Sequence, residues 1–220
     1  MKTWDTPHPL KALVDPTLPT DIVFVMDKSG SMGTLANDTI NGFNAFIAEQ
    51  QKQPGEAFLT LVLFDTVVTL LAERKPLDEV PSLTSKEYQP GGMTALLDAV
   101  GNALARLEKN PPTGKVLFVV ATDGEENSSR EYKVEAIRAT IEAKEKAGWG
   151  FVFLGANAST WQGANMGIQT QGVYAASAGG TRSMYSNLSA NTSLIRSSSG
   201  VAAQSVSDAN WDTGDGPKSQ

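Results

Sequence analysis

The sequence predicts an α/β domain built on an open, mostly parallel, doubly wound sheet with one antiparallel edge strand and helices on both faces. Continuous apolar runs at 22–26, 116–121 and 149–154 are typical of strands that are buried on both faces. Segments with helical spacing of apolar residues separate these runs along the chain. A length of 220 residues is enough for one well-buried domain and a short tail.

The first twenty residues contain Pro7, Pro9, Pro16 and Pro19, and they are predicted to form an extended arm. The first strand covers Ile22–Met26, and the first helix covers about Thr34–Gln51. The apolar residues of this helix with the spacing of one face are Ile40, Phe43 and Ile47.

Two further strands, Phe58–Phe64 and Val67–Leu71, are separated only by Asp65-Thr66. So short a link permits an antiparallel hairpin but not a parallel crossover. Residues 73–92 are interrupted by prolines and glycines and are predicted as a long surface connection with at most one helical turn. A second helix follows, whose apolar face comprises Leu97, Val100, Leu104 and Leu107.

The strand at Val116–Ala121 runs into Thr122-Asp123-Gly124. Ser128-x-x-Glu131 has the form of a capping box, which predicts the start of a third helix, and Gly148 is predicted as the C′ residue just beyond the end of that helix. Trp149–Leu154 is the next buried strand, followed by a short helix at about 159–166 and a last strand at about 172–176.

Residues 181–203 are rich in Ser and Asn, but the spacing of Met184, Leu188 and Ile195 predicts a helix against the sheet. From about Gln204 the chain is polar without periodicity, which predicts disorder. The expected organisation is therefore an arm at 1–20, a domain at 21–203 and a disordered tail at 204–220.

Composition restricts the function. There are 24 acidic and 18 basic residues, and the formal net charge of −6 disfavours nucleic acid or an anionic membrane surface as partner. The absence of Cys excludes disulfides, thiolate catalysis and Cys-type zinc sites. We find neither a secretory signal nor an apolar run of about 18 residues, so we expect a soluble, cytoplasmic protein.

Polar oxygen groups cluster after the predicted strands. Asp27 and Asp123 each follow a buried strand, and the carboxyl ends of parallel strands meet at one rim of the sheet. Ser29 and Ser31 share the turn with Asp27, and Thr94 heads the second helix after Gly91-Gly92. Such ligands suit Mg²⁺ or Mn²⁺. The alternative is that the first turn only reverses the chain and Thr94 only caps a helix.

The combination of Asp-x-Ser-Gly-Ser, Gly-Gly-Met-Thr and Thr-Asp-Gly resembles the von Willebrand factor A (vWA) domain and its metal ion-dependent adhesion site, over roughly residues 20–200. The resemblance implies a Rossmann-like fold and Mg²⁺ or Mn²⁺, with Ca²⁺ less well suited. It implies five metal ligands, some acting through water, and a further position for an Asp or Glu of a partner protein. The implied ligands are Asp27, Ser29, Ser31, Thr94 and Asp123.

The chain resembles compact, stand-alone intracellular members of that family from bacteria and their viruses more than it resembles secreted adhesion proteins. In the family the last helix can also slide and change affinity, but residues 181–203 match that element poorly. Glu125 and Glu126 are interpreted as parts of a solvated loop rather than as ligands. Lys28 should point away from the ion, towards either a rim contact or solvent.

The leading hypothesis is a divalent-metal-dependent protein-binding module that is not an enzyme. One alternative is a Mg²⁺-dependent phosphoryl-transfer or hydrolytic enzyme, since similar sheets with acidic rims host such chemistry. Another is a scaffold in which the metal is only structural. Thr113-Gly114-Lys115 lacks the preceding glycine of a phosphate loop, and His8 lies in the arm without a catalytic arrangement around it. The oligomeric state is not predicted.

Overall fold

The computed structural model describes residues 18–156 and 160–213. These residues form one six-stranded sheet with the order β3-β2-β1-β4-β5-β6, in which every neighbouring pair is parallel except β2 and β3. The predicted fold class is therefore confirmed. The strands are β1 (Thr20–Asp27), β2 (Ala57–Phe64), β3 (Val68–Pro76), β4 (Lys115–Thr122), β5 (Gly150–Ala156) and β6 (Gln171–Tyr174).

Helices cover both faces of this sheet. They are α1 (Ala36–Gln51), α2 (Leu96–Lys109), α3 (Val134–Lys146), α4 (Trp161–Asn165), α5 (Ala178–Ser197) and α6 (Ala202–Asp208), with short 3-10 helices at Gly30–Leu35 and Leu77–Glu79. One apolar core lies between the sheet and α1, α5 and α6, and a second lies between the sheet and α2 and α3.

The central strand β1 shows why its sequence is continuously apolar. Phe24 points into the first core, where its ring lies 5.8 Å from that of Phe43, while Val23 and Val25 point into the second core. Successive side chains of a strand face opposite sides, so a strand covered on both sides needs apolar residues throughout.

The predicted hairpin is confirmed, but β3 continues beyond Leu71 to Pro76. The prediction of a surface connection beginning at residue 73 is therefore wrong at its start. Arg74 has φ +41°, and its guanidinium forms an ion pair with buried Asp21 at 2.6 Å and lies over the Phe58 ring. The sequence pattern alone assigns this charged segment to a loop, but these contacts hold it in the sheet.

The predicted capping box is also wrong. α3 begins at Val134 after Lys133, and the segment 128–132 precedes it as a loop. Its backbone N–H groups bind two other carboxylates: Glu126 accepts from residues 128 and 129, and Asp98 accepts from residues 130, 131 and 132. The N–H groups that a capping box would use are therefore bonded to α2 and to the loop itself.

The Ser- and Asn-rich segment forms α5, as its apolar spacing predicts. A methyl group added at Gly42 of α1 would lie 2.2 Å from the Tyr185 ring, so the glycine permits close packing of α1 on α5. Arg196 then donates to the carbonyl of Gln50 at 2.5 Å and to that of Gly55 at 2.9 Å, which stabilises the end of α1.

The tail expected to be disordered from Gln204 is ordered as far as residue 213. Ala202 and Val206 of α6 pack over Gly150, and Trp211, which is 3% exposed, covers Gly172. The Trp211 indole donates to the carbonyl of Val206 at 2.9 Å. These three apolar residues hold the polar segment against the sheet because Gly150 and Gly172 of the strands leave room for them. The arm up to residue 17 and the tail from residue 214 lie outside the described residues.

No helix in the described part of the chain has the length and apolar character needed to cross a membrane.

Candidate metal centre

The two predicted carboxylates lie at the same rim of the sheet. Asp27 ends β1 and Asp123 directly follows β4, and these strands are parallel neighbours with Met26 opposite Ala121. Each strand reaches the rim in the same register, so the loops that follow are adjacent. The rim places both carboxylates on one side of the molecule, as expected for parallel strands.

Short hydrogen bonds link the first loop to the second. The backbone N–H of Ser29 donates to Asp27 Oδ1 at 2.6 Å, and the Ser29 and Ser31 hydroxyls are 3.1 Å apart. Ser31 Oγ donates to Asp123 Oδ1 at 2.6 Å. Four of the five predicted residues thus form one continuous polar cluster.

Thr94 completes this cluster from the loop before α2. A methyl group added at Gly124 would lie 2.9 Å from Thr94 Oγ1, 3.4 Å from Asp27 Oδ2 and 3.5 Å from Ser29 Oγ. Three of the predicted donors therefore surround one small space that only a glycine leaves open. The structure brings all five predicted residues together.

The electrostatics of the cluster favour a cation. Burial raises the pKa of Asp27, and the nearby Asp123 raises it further, while hydrogen bonds from Thr122 and Ser29 oppose the shift. Burial likewise raises the pKa of Asp123, against a hydrogen bond from Ser31. A buried carboxylate and a partly buried one close together are costly when both are ionised, and a bound cation would offset that cost.

The chemistry of the donors selects the kind of cation. In the described residues there is no group of three or more His, Cys, Asp or Glu side chains that could hold a metal. The cluster instead combines two carboxylates with three hydroxyls, all of them oxygen donors. That set fits a hard divalent cation such as Mg²⁺ or Mn²⁺.

Thr122 and Tyr88 support the site but were not predicted to take part. Thr122 Oγ1 donates to Asp27 Oδ2 and accepts the N–H of Gly124 at 3.0 Å, so it orients both loops. The Tyr88 hydroxyl donates to the Asp27 carbonyl at 2.5 Å. Thr122 lies inside the Thr-Asp-Gly motif and could have been found, whereas nothing in the sequence links Tyr88 to the rim.

Lys28 points away from the cluster, as expected, and forms a rim contact. Its ammonium pairs with Asp65 in the turn between β2 and β3. Asp65 also accepts the N–H of Val67 at 2.7 Å, and its carbonyl accepts from Ala95 at 2.8 Å. This ion pair connects the loop that carries Asp27, Ser29 and Ser31 to the loop that carries Thr94.

Glu126 is a positioning residue, and the interpretation of it as part of a solvated loop is wrong. Its carboxylate accepts the N–H of Leu97 at 2.9 Å, at the start of α2. The next residue, Asn127, exchanges two hydrogen bonds with the backbone of Thr94, at 2.9 and 3.0 Å. Glu125 is exposed, as expected.

The family model described as "VWA domain containing CoxE-like protein" matches residues 1–183. The chain belongs to this family. The vWA assignment made from the three motifs is therefore confirmed. The comparison with curated proteins finds no match.

Solved structures show the same fold at low sequence identity. The pilus adhesin SpaC from Lactobacillus rhamnosus GG has a TM-score of 0.63 and 14% identity over 84% of this chain and 31% of its own. Proximal thread matrix protein 1 from the mussel byssus, with a zinc-occupied adhesion site, has a TM-score of 0.58 and 18% identity over 82% of this chain and 47% of its own. The von Willebrand factor type A protein from Catenulispora acidiphila has a TM-score of 0.56 and 14% identity, over 80% of this chain and 43% of its own.

This vWA domain thus spans about half or less of the length of these three proteins. At such identities the likeness concerns the fold.

Proposed function

We propose that this vWA domain is a metal-dependent protein-binding module that holds Mg²⁺ or Mn²⁺ at the carboxyl rim of its sheet and accepts an Asp or Glu side chain from a partner protein. The observation that carries the proposal is the convergence of five oxygen-bearing side chains at one rim: Asp27, Ser29 and Thr94 surround the space next to Gly124, and hydrogen bonds join Ser31 and Asp123 to them. The residues that would hold the ion are Asp27, Ser29, Ser31, Thr94 and Asp123.

The charge balance of these ligands explains why an external carboxylate would be attracted. A bound divalent cation would supply a Lewis-acidic centre at the rim. Asp27 and Asp123 contribute two negative charges, and the hydroxyls of Ser29, Ser31 and Thr94 contribute none. Carboxylates that act through water would neutralise the ion only partly, so the cation would dominate the local field and a chain of net charge −6 could still recruit an acidic side chain there.

The enzyme alternative is less well supported by the rim. Metal-assisted phosphoryl transfer through a carboxylate nucleophile would use a Lys or a second acid beside that nucleophile. Lys28 is the basic residue of the first loop, and its ammonium is paired with Asp65 instead. Asp27 is fully buried and receives hydrogen bonds from Ser29 and Thr122, which suits a fixed ligand better than a nucleophile.

Metal binding is tested by titration calorimetry and thermal melting with Mg²⁺, Mn²⁺, Ca²⁺ and Zn²⁺. Zinc is included because a mussel byssus protein with this fold carries it in its adhesion site. We expect wild type to bind Mg²⁺ and Mn²⁺ and Asp123→Asn to lose both. Glu125→Gln is the matched control, because it removes an exposed carboxylate two residues away and should leave binding unchanged.

Partner binding is tested by capture with immobilised domain in Mg²⁺ and in chelator. A partner retained only with Mg²⁺, and lost with Asp27→Ala, supports the proposal. A partner retained equally in chelator and by Asp27→Ala overturns metal-mediated binding. Metal-dependent melting without any metal-dependent partner would instead favour the scaffold with a structural metal.

A further inference from the structure

Apolar side chains lie on the rim loops on both sides of the candidate metal centre. We propose that these side chains anchor an extended partner segment in which the acidic residue is flanked, two positions away on each side, by apolar residues. This inference rests on the proposed function and adds the chemistry of the segment that is recognised.

The first anchor lies beside β2. Val67 is 64% exposed in the β2–β3 turn, and Met93 is 48% exposed in the loop before Thr94. The two loops are joined because Thr66 Oγ1 accepts the backbone N–H of Met93 at 2.8 Å. Two exposed apolar side chains are thus held next to one of the proposed ligands by a fixed backbone.

The second anchor lies beside β5. Trp161 is 51% exposed at the start of α4. The next residue, Gln162, donates to the Gly124 carbonyl at 2.8 Å and accepts the N–H of Glu126 at 2.6 Å. The position of Trp161 is therefore tied to the loop that carries Asp123, and a large aromatic residue held in this way is typical of an interface anchor.

The order of the strands sets the spacing of the anchors. β1 and β4 carry the metal loops, and β2 and β5 lie on either side of them. With strands about 4.8 Å apart, the axes of β2 and β5 each lie about 7 Å from the line midway between β1 and β4, and we assign this spacing to the side chains beside them. An extended segment rises about 3.3 Å per residue and turns alternate side chains to the same face, so about 7 Å corresponds to two residues. The pattern is apolar-x-Asp/Glu-x-apolar.

The charge of the rim favours a single acidic residue. The Lys28 ammonium is already paired with Asp65, so it is not available to pair with a second carboxylate of the partner segment. Exposed Glu125 adds a negative charge to the same loop as Asp123. A second acidic residue beside the first would meet this carboxylate, whereas apolar neighbours would be covered by Val67, Met93 and Trp161.

The test uses a display library of nine-residue segments held extended in a hairpin scaffold, with Asp or Glu fixed at the centre and the other positions randomised. Segments are selected on the wild-type domain in Mg²⁺ and, separately, in chelator. Relative to the selection in chelator, the selection in Mg²⁺ should enrich apolar residues two positions before and two positions after the acidic residue. Trp161→Ser should abolish the preference at one of these positions and weaken a selected segment about tenfold, and Met93→Ser should reduce the preference at the other, where Val67 remains.

Leu194→Ser is the matched control, because Leu194 is 64% exposed on α5, away from the rim loops, and its loss should change nothing. Calorimetry with Mg²⁺ alone should give wild-type affinity for Met93→Ser and Trp161→Ser. Metal-dependent enrichment without an apolar preference, or with equal binding to these variants, overturns this inference and leaves the proposed function standing. No metal-dependent enrichment, despite Mg²⁺ binding, overturns both.

Discussion

Replacing Thr122 with Val tests whether the hydroxyl beneath the candidate centre organises it. Thr122 is fully buried, and Val has nearly the same shape, so the substitution removes the hydroxyl without leaving a large cavity. Two hydrogen bonds are lost together: the one donated to Asp27 Oδ2 and the one accepted from the Gly124 N–H.

The expected cost follows from those two bonds. A hydrogen bond to a charged group contributes about 1.5 to 3 kcal/mol, and the partly buried Gly124 N–H left without a partner costs about 1 kcal/mol. We therefore expect Thr122→Val to lower the free energy of unfolding by about 3 kcal/mol. For a domain of this size that corresponds to a fall in melting temperature of about 6 to 12 °C.

Urea unfolding and thermal melting, each with Mg²⁺ and with chelator, measure this effect. Thr122→Ser is the control, because it keeps the hydroxyl and loses only a methyl group, so it should cost about 1 kcal/mol. The Thr122 hydrogen bond lowers the pKa of Asp27, so the valine variant should also need a higher pH before Mg²⁺ binds. Wild-type stability and Mg²⁺ affinity in Thr122→Val would refute the role assigned to the hydroxyl.

Three further predictions concern the site and its supports. Mg²⁺ at about one hundred times its dissociation constant should stabilise wild type by about 2.7 kcal/mol, and Asp123→Asn should remove this gain in a melting assay. The folded-state pKa values of Asp27 and Asp123 are raised, so the metal-free domain should lose stability as the pH rises from the ordinary carboxyl range through the raised values. The free energy of unfolding measured in chelator at a series of pH values checks this, and a gain in stability over that range would contradict it. Glu126→Ala should cost about 2 to 4 kcal/mol in urea unfolding, since four hydrogen bonds at 2.7 to 2.9 Å are lost, and Glu125→Ala should cost less than about 0.5 kcal/mol.

The fold and the placement of Asp27 beside Asp123 followed from two simple patterns in the sequence, whereas the full set of candidate ligands came from the resemblance of three motifs to the vWA domain. Continuous apolar runs identified β1, β4 and β5 because a strand covered on both faces has no polar side. Asp27 and Asp123 could be placed together because parallel strands end at one rim. A search for clustered carboxylates and histidines alone would have missed the site, since three of its five residues contribute uncharged hydroxyls.

Most of the supporting contacts outside the Thr-Asp-Gly motif could not be predicted, either because they join residues that are distant in sequence or because they replace a local pattern. Tyr88 lies 61 residues from the Asp27 carbonyl that it binds. Glu126 and Asp98 take the N–H groups of residues 128–132, which the local sequence pattern assigned to a capping box. A local motif predicts only which hydrogen bonds are available, and tertiary packing decides which of them form.

The C-terminal segment shows the same limit for packing. Residues 204–213 have too few apolar groups to predict burial, yet Val206 and Trp211 are 1% and 3% exposed. The space they fill exists because Gly150 and Gly172 on the neighbouring strands carry no side chain: an added methyl group would lie 2.4 Å from Val206 at the first and 2.5 Å from the Trp211 carbonyl at the second. A composition rule counts the apolar residues of one segment, whereas burial depends on the shape of the surface that receives them.

Trp211→Ala should therefore cost about 3 to 5 kcal/mol in urea unfolding, as for a core aromatic residue, and a cost below about 0.5 kcal/mol would show that the segment does not stabilise the domain.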